Sequence, residues 1–200
     1  IISDHYKIIN QEFPHHLANL CEKYNAKLIH PSTDCVFNGS RGNYTENDTP
    51  DETNIYGLSK YLGEPKNCTV IRTSIMGEEV NNRRSFVEFI KQNEGKIING
   101  YINHHWNGIT CLQYAKIVEY MINNNYFWNG VRHVCSNQLT KYELCQIVND
   151  VYDLNVTIKQ HQTPETINKC LCTIHNHPFT IPHLRDQIQE MEQFTNTLYV

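Results

Sequence analysis

The stretch STDCVFNGSRGNYTENDTPDETNIYGLSK, residues 32–60, opens on Ser32, Thr33 and Asp34 and closes on Tyr56 and Lys60. Four residues is one helical turn, so on a helix the phenol and the ammonium project from the same face. That pattern offers proton transfer to a carbonyl oxygen that gains negative charge. A free phenol has a pKa near 10, so only about one in a thousand is ionised at neutral pH. An ammonium about 4 Å away contributes up to roughly 4 kcal/mol at an effective dielectric of 20, or roughly three pKa units. On this reading Lys60 brings Tyr56 close to its working pH, Thr33 hydrogen-bonds the same oxygen, and Ser32 or Asp34 orients the substrate.

Twelve tyrosines and eleven lysines in 200 residues produce such a pair by chance, so the spacing alone carries little. A surface helix with a half-buried Tyr and a solvated Lys is the plain alternative. Position adds weight, because the pair opens a helix after a strand ending in Ser-Thr-Asp, where α/β folds place their ligands.

The elements that must hold these residues follow from hydrophobic periodicity. Phe13, Leu17, Leu20, Cys21 and Tyr24 have helical spacing, with Pro14 in the first turn. AKLIHPST and CTVIRTS read as strands, and NIYGLSKYLGE as a helix that stops before Pro65. Further on, RRSFVEFIKQN reads helical, GKIINGY extended, and TCLQYAKIVEYMINN as an amphipathic helix with Leu112, Ala115, Val118, Met121 and Ile122 on one side. GVRHVCS is extended. TKYELCQIVNDVYD is a helix with a Thr140–Glu143 capping box, NVTIKQH and CLCTI read as short strands, and IPHLRDQIQEMEQF as a closing helix. Strand and helix alternate through the first half, so the expected class is α/β: a partial Rossmann-like parallel sheet in 1–76, followed by a smaller mixed α/β lobe in 77–200.

Composition removes several function classes. Seventeen Lys and Arg against 21 Asp and Glu give a formal charge of -4 with no basic stripe, which argues against nucleic-acid or anionic-membrane partners. No apolar run approaches a membrane span, and a cytoplasmic location is expected. The eight cysteines are scattered and read as reduced thiols. CLCTIHNH gathers Cys170, Cys172, His175 and His177, but at spacings unlike a zinc finger, so no metal is expected; as a strand it would send both thiols to one face. His104, His105 and Trp106 form a cluster expected on a loop beside the second lobe, where either a role in stacking on a base or bonding a diphosphate, or a plain, partly exposed polar turn, accounts for them.

In order and spacing, STDCVFNG, YTENDTP, IYGLSKYLGE and VIRTSIMGE resemble the extended short-chain dehydrogenase/reductase superfamily, and within it the dTDP-4-dehydrorhamnose reductase branch of sugar-nucleotide enzymes. The resemblance spans most of residues 8–150. It implies NAD(P)H-dependent reduction of a 4-keto group on a nucleotide-linked deoxysugar, in dTDP-rhamnose and polysaccharide biosynthesis. It also implies that Thr33, Tyr56 and Lys60 are catalytic, with Lys60 both lowering the Tyr56 pKa and holding the nicotinamide ribose. Ser32, Thr73 and Ser74 would join Tyr56 and Lys60 around an NADP or NAD cofactor. Thr33, Asp34, Phe37, Ile75 and Trp106 would line the substrate pocket. The sequence departs from the branch at Cys35, Asn38 and Ile75, which bear on the choice of sugar.

The larger departure is that no strand, G-x-x-G-x-x-G, helix segment is present, and the first residue is Ile1. The expectation is therefore a reductase whose cofactor half lies upstream or on a complementing N-terminal chain, inactive as the 200 residues alone, and possessing a homodimer as a further assembly option. The competing readings are a non-catalytic module resembling the regulatory subunit of methionine adenosyltransferase and a degenerate remnant with an exposed, apolar sheet edge.

Overall fold

The computed structural model describes residues 4–79, 81 and 83–198. Its opening helical run consists of α1 (Asp4–Tyr6), a π-helical stretch at Lys7–Glu12, and α2 (Phe13–Lys23), which carries Pro14 at its start. The apolar stripe expected to bury α2 does not do so. Pro14 and Ala18 are buried, whereas Phe13, Leu20 and Tyr24 are each more than half exposed. The buried line of α2 is its small-residue side, and Ala18 packs with Cys68 and Val70.

β1 (Ile29–Thr33), β2 (Thr69–Thr73) and β7 (Gly130–His133) form a parallel sheet in the order β1-β2-β7. Every residue of β2 is buried, as befits a central parallel strand covered on both faces. The register sets Thr33 opposite Thr73 and Ser32 opposite Arg72, so the polar ends of the two strands meet at one edge. The helix α3 (Ile55–Leu62) follows β1. Because β7 comes from beyond residue 77, the two halves of the sequence interleave in this sheet.

The remaining strands form smaller sheets. β3 (Ile75–Met76) pairs with β6 (Ile109–Thr110), β4 (Ile97–Tyr101) with β9 (Thr157–His161), and β5 (His104–Trp106) lies between β10 (Ile167–Asn168) and β8 (Leu139–Thr140). Around them stand α4 (Phe86–Lys91), α5 (Cys111–Asn123), α6 (Lys141–Val151) and α7 (Leu184–Leu198). Ser85, Thr110 and Thr140 each start a helix in the same way, with a side-chain oxygen accepting from the backbone N–H three residues on; Thr140 and Glu143 complete the expected capping box.

One core joins α4, α6 and α7 through Val87, Ile90, Leu144, Val148, Leu184 and Ile188, while a second joins β2 to α5 through Ile71, Ile117 and Met121. The second core rotates α5 away from its expected face. Gln113, Ile117 and Met121 are buried, and Ile122 is 60 % exposed, because Ile71, Trp128 and Val134 select that line.

Two further differences concern short segments. CLCTI is not a strand: only an isolated bridge links Leu171 to Tyr44, with Cys170 buried and Cys172 exposed. His104–Trp106 forms β5 rather than a loop. Among the described residues no helix is long and apolar enough to cross a membrane, and no cluster of three or more His, Cys, Asp or Glu is placed to hold a metal.

Candidate active site at the carboxyl edge of the parallel sheet

Thr33 ends β1 and caps the 3-10 turn Asp34–Val36, its hydroxyl accepting from the Cys35 N–H at 3.1 Å and donating to the Asp34 carboxylate at 3.2 Å. The turn carries the chain into the polar loop, whose return is fixed by the Glu52 N–H donating to the Val36 carbonyl. Asn54 then caps α3, accepting from the Gly57 N–H at 2.9 Å.

Gly57 explains why α3 can stand so close to β1. A Cβ on it would fall inside van der Waals contact with the Cys35 carbonyl oxygen and the Glu52 side chain. Gly57→Ala is therefore expected to push α3 away from the turn, destabilising the fold by about 1–3 kcal/mol and displacing Tyr56 enough to lower any turnover by about 10²-fold. Urea denaturation and steady-state kinetics of the one variant check both effects.

Tyr56 is 44 % exposed, and the Thr33 hydroxyl lies near enough to its phenol to act on its pKa. Burial raises the phenol pKa above its ordinary value; the Thr33 hydrogen bond opposes this, and the neighbouring Cys35 and Asp34 add to the rise. Lys60 makes no hydrogen bond to the phenol among the described residues. Its Nζ donates instead to the Pro31 carbonyl at 2.9 Å, so sharing a helical face does not bring ammonium and phenol together here. Burial lowers the Lys60 pKa, with Glu64 acting the other way. The sign of the Tyr56 shift is thus opposite to that expected from the four-residue spacing.

His30 lies beside Lys60 on β1, with its Nε2 buried and unpartnered. Burial, then Lys60, then His15 bring its pKa down to about 4, from 6.5. A histidine whose folded pKa is depressed contributes fully above pH 6.5 and costs stability as pH falls from there toward 4. His133 and His177 are shifted in the same direction, principally by burial. His30→Phe is expected to remove on the order of 2 kcal/mol of the stability lost between pH 6.5 and 4, read from denaturation midpoints across that range.

Ser32 faces away from Thr33. Its hydroxyl donates to Glu64 Oε1 at 2.5 Å, and Glu64 in turn takes a bidentate pair from Arg72, at 2.8 Å from Nε and 2.6 Å from Nη2. Arg72 also meets His133 Nε2 at 3.2 Å, while His133 Nδ1 faces the carbonyls of Cys172 and Tyr44. Ser32 therefore belongs to a buried polar network beneath the site rather than to a cofactor surface. Phe37, expected in the substrate pocket, has 0 % exposure and stacks on Tyr44 at 4.2 Å, leaving no face for a ligand.

Other expected residues lie at and just beyond the end of β2. Thr73 is buried at the end of β2, and the Ser74 hydroxyl accepts from Trp106 Nε1 at 2.8 Å. Ile75, 46 % exposed, is open to a ligand. Asp34 is buried, its carboxyl pushed up by burial and drawn down by Thr33, Cys35, Lys169 and Lys141. Lys141 is a residue the sequence reading passed over, since a Lys opening an amphipathic helix reads as solvated surface. Glu64 and Gly57 were also passed over, although both lie inside the quoted IYGLSKYLGE motif.

Tyr56 and Lys60 could hold a nicotinamide ribose, with Thr73 and Ser74 beside it. The pyrophosphate is a different matter. Gly39 and Gly42 have left-handed φ of 88° and 78°, but a Cβ on either would run into the side chain of Lys169 or Asn168, so their backbone is packed against side chains and not open to a phosphate. Among the described residues there is no glycine-rich strand–turn–helix, so the residues present fit one end of a dinucleotide and not its pyrophosphate.

Comparison with known proteins adds to this geometry. The family model described as RmlD substrate binding domain matches residues 3–171. The chain is 26 % identical over 165 residues to methionine adenosyltransferase 2 subunit beta of Bos taurus, covering 73 % of this chain and 48 % of that protein. Over 61 residues it is 39 % identical to the dTDP-4-dehydrorhamnose reductase of Mycobacterium tuberculosis (strain CDC 1551 / Oshkosh), covering 28 % of this chain and 20 % of the enzyme. The crystal structure of dTDP-4-dehydrorhamnose reductase from Bacillus anthracis str. Ames in complex with NADP aligns with a TM-score of 0.78 at 22 % identity, covering 94 % of this chain and 73 % of that one. The chain spans about half the length of the methionine adenosyltransferase subunits it matches.

Proposed function

Because the chain belongs to the RmlD substrate binding domain family, matched over residues 3–171, we propose that it carries the catalytic edge of an NAD(P)H-dependent reductase for the 4-keto group of a nucleotide-linked deoxysugar. The observation supporting this most directly is the half-exposed Tyr56 phenol beside the Thr33 hydroxyl at the carboxyl edge of a parallel sheet. A bound nicotinamide nucleotide supplies hydride to the carbonyl carbon. The chain's own residues act on the oxygen: Tyr56 gives up its phenolic proton, and Thr33 bonds the same oxygen and fixes its position. Solvent returns the proton to Tyr56 through its exposed side. Lys60 assists only by leaving the Pro31 carbonyl for the ribose and the phenol.

The test is NADPH oxidation with a dTDP- or UDP-4-keto-6-deoxyhexose. It compares this chain with the same chain extended N-terminally by a glycine-rich dinucleotide-binding segment. Turnover by the extended chain and none by the 200 residues alone is expected. No turnover by the extended chain overturns the reductase reading, and turnover by the short chain overturns its inactivity.

A second reading, a non-catalytic module like the methionine adenosyltransferase subunit, is favoured by the length of that match and by Lys60 being directed at Pro31. Nucleotide binding by the extended chain without turnover on any 4-keto sugar nucleotide would select it.

A further inference from the structure

Two thiols face one cavity at the amino edge of the parallel sheet, the end opposite Thr33 and Tyr56. Cys68 directly precedes β2, is 6 % exposed, and accepts from the Gly130 N–H at 2.9 Å through its carbonyl. Cys21 lies half-buried on α2, its carbonyl accepting from the Ala26 N–H at 2.8 Å. Helix and strand are tied together on either side of this pair. Ala18, one turn before Cys21, packs on Cys68, while the Asn67 side-chain amide donates to Glu22 at 2.8 Å and to Asn19 at 3.3 Å. Residues three and four apart share a helix face, so Ala18, Cys21 and Glu22 are all directed toward residues 67 and 68.

The cavity that both thiols line is about 440 Å³. Its walls include Glu22 and Lys27, of opposite charge, and the apolar rings of Phe127 and Trp128, a lining that suits a small uncharged molecule. Cys21 is the more exposed thiol and the first that such a molecule meets. The two sulfurs lie within electrostatic reach of each other: burial, and then Cys21, push the Cys68 thiol up to about 11. Neither thiol takes part in the chemistry at the carboxyl edge.

We propose that Cys21 and Cys68 are a dithiol that closes to a disulfide on reaction with a small-molecule disulfide, stapling α2 to the start of the central strand. The Cys21 thiolate attacks one sulfur of the reagent, forming a mixed disulfide and expelling one thiolate. The Cys68 thiolate then attacks the Cys21 sulfur, forming the intramolecular bond and expelling the second. Two cysteine thiols are oxidised, one reagent disulfide is reduced to two thiols, and the two protons lost by the cysteines end on those thiols. Burial of Cys68 slows the second step, and having both sulfurs on one folded chain offsets that. The bond closes a long loop of the unfolded chain, so it stabilises the fold and leaves the Thr33–Tyr56 edge untouched. The staple does not depend on the reductase reading.

The experiment is incubation of the reduced chain with hydroxyethyl disulfide at mildly alkaline pH, then alkylation, proteolysis without reduction and mass spectrometry. A peptide pair joined through Cys21 and Cys68 is expected as the main product, in monomeric chain. The thermal midpoint should rise by about 10 °C and return to its starting value with dithiothreitol. Cys21→Ser should lose both the linked peptides and the rise, and Cys68→Ser should stop at the mixed disulfide on Cys21. Near-UV circular dichroism verifies folding. If Cys68→Ser does not fold, Cys21→Ser, at the less buried position, decides alone.

No reaction, a mixed disulfide on Cys21 that never passes to Cys68, or a main product linking either cysteine to a different one or to a second chain overturns the proposal. So does an unchanged thermal midpoint in chain that carries the Cys21–Cys68 link, or the same rise in oxidised Cys21→Ser.

Discussion

Tyr56→Phe in the extended chain is expected to lower kcat by about 10²–10⁴-fold while changing KM only a few-fold, because it removes the proton donor and keeps the ring. Burial holds the phenol above its ordinary pKa, so it stays protonated throughout the neutral range. Reduction should therefore be flat in rate across neutral pH and fall only as pH rises through the phenol pKa. Lys60 bonds the Pro31 carbonyl rather than the Tyr56 phenol in the chain itself. Titrating the phenol by ultraviolet difference spectroscopy should consequently give the same midpoint in Lys60→Met as in the wild type. A midpoint raised in Lys60→Met would show the ammonium acting on the phenol after all. Full turnover in Tyr56→Phe would remove Tyr56 from the chemistry.

The largest effect on stability is expected at Glu64. Its carboxylate and the Arg72 guanidinium are 5 % and 4 % exposed, and the pair is extended by Ser32 on one side and His133 on the other. Arg72 also lies over the face of Phe37, its guanidinium carbon 5.3 Å from the ring centre. Removing one member leaves the other charge buried and unpaired, so Glu64→Ala should cost about 3–5 kcal/mol in denaturant unfolding. Replacing both partners with apolar residues, Glu64→Leu with Arg72→Met, should cost less than the single change. A loss below about 1 kcal/mol in Glu64→Ala would mean that water reaches the pair.

This network also shows what the sequence concealed. The strand ending in Ser-Thr-Asp, the helix with Tyr56 and Lys60, and the parallel pairing of β1 with β2 were legible, because period-2 and period-3.6 patterns and a cap survive as local signals. Ser32 and Thr33 look interchangeable in sequence, but successive strand residues point to opposite faces, sending Ser32 to Glu64 and Thr33 to the Asp34–Cys35 turn near Tyr56. The direction of Lys60 was hidden for another reason. Helical spacing fixes the face a side chain leaves from, not the acceptor its long stem finds, and the nearest free acceptor was a backbone carbonyl.

Elsewhere the misreadings came from tertiary choice. α5 offered more than one apolar line, and packing against Ile71 selected the line through Ile117. The alternation in CLCTI lacks partner strands beyond a single bridge to Tyr44. Phe37 carries no sequence mark separating a pocket wall from a core residue, whereas its stacking on Tyr44 settles the matter.

The most direct measurement of the central claim is a crystal structure of the extended chain with NADP and a 4-hydroxy or 4-keto sugar nucleotide bound. The account predicts the Tyr56 and Thr33 hydroxyls both within about 2.6–3.2 Å of the same sugar oxygen. A sugar oxygen touched by neither hydroxyl, with the ligand ordered elsewhere on the molecule, would contradict it.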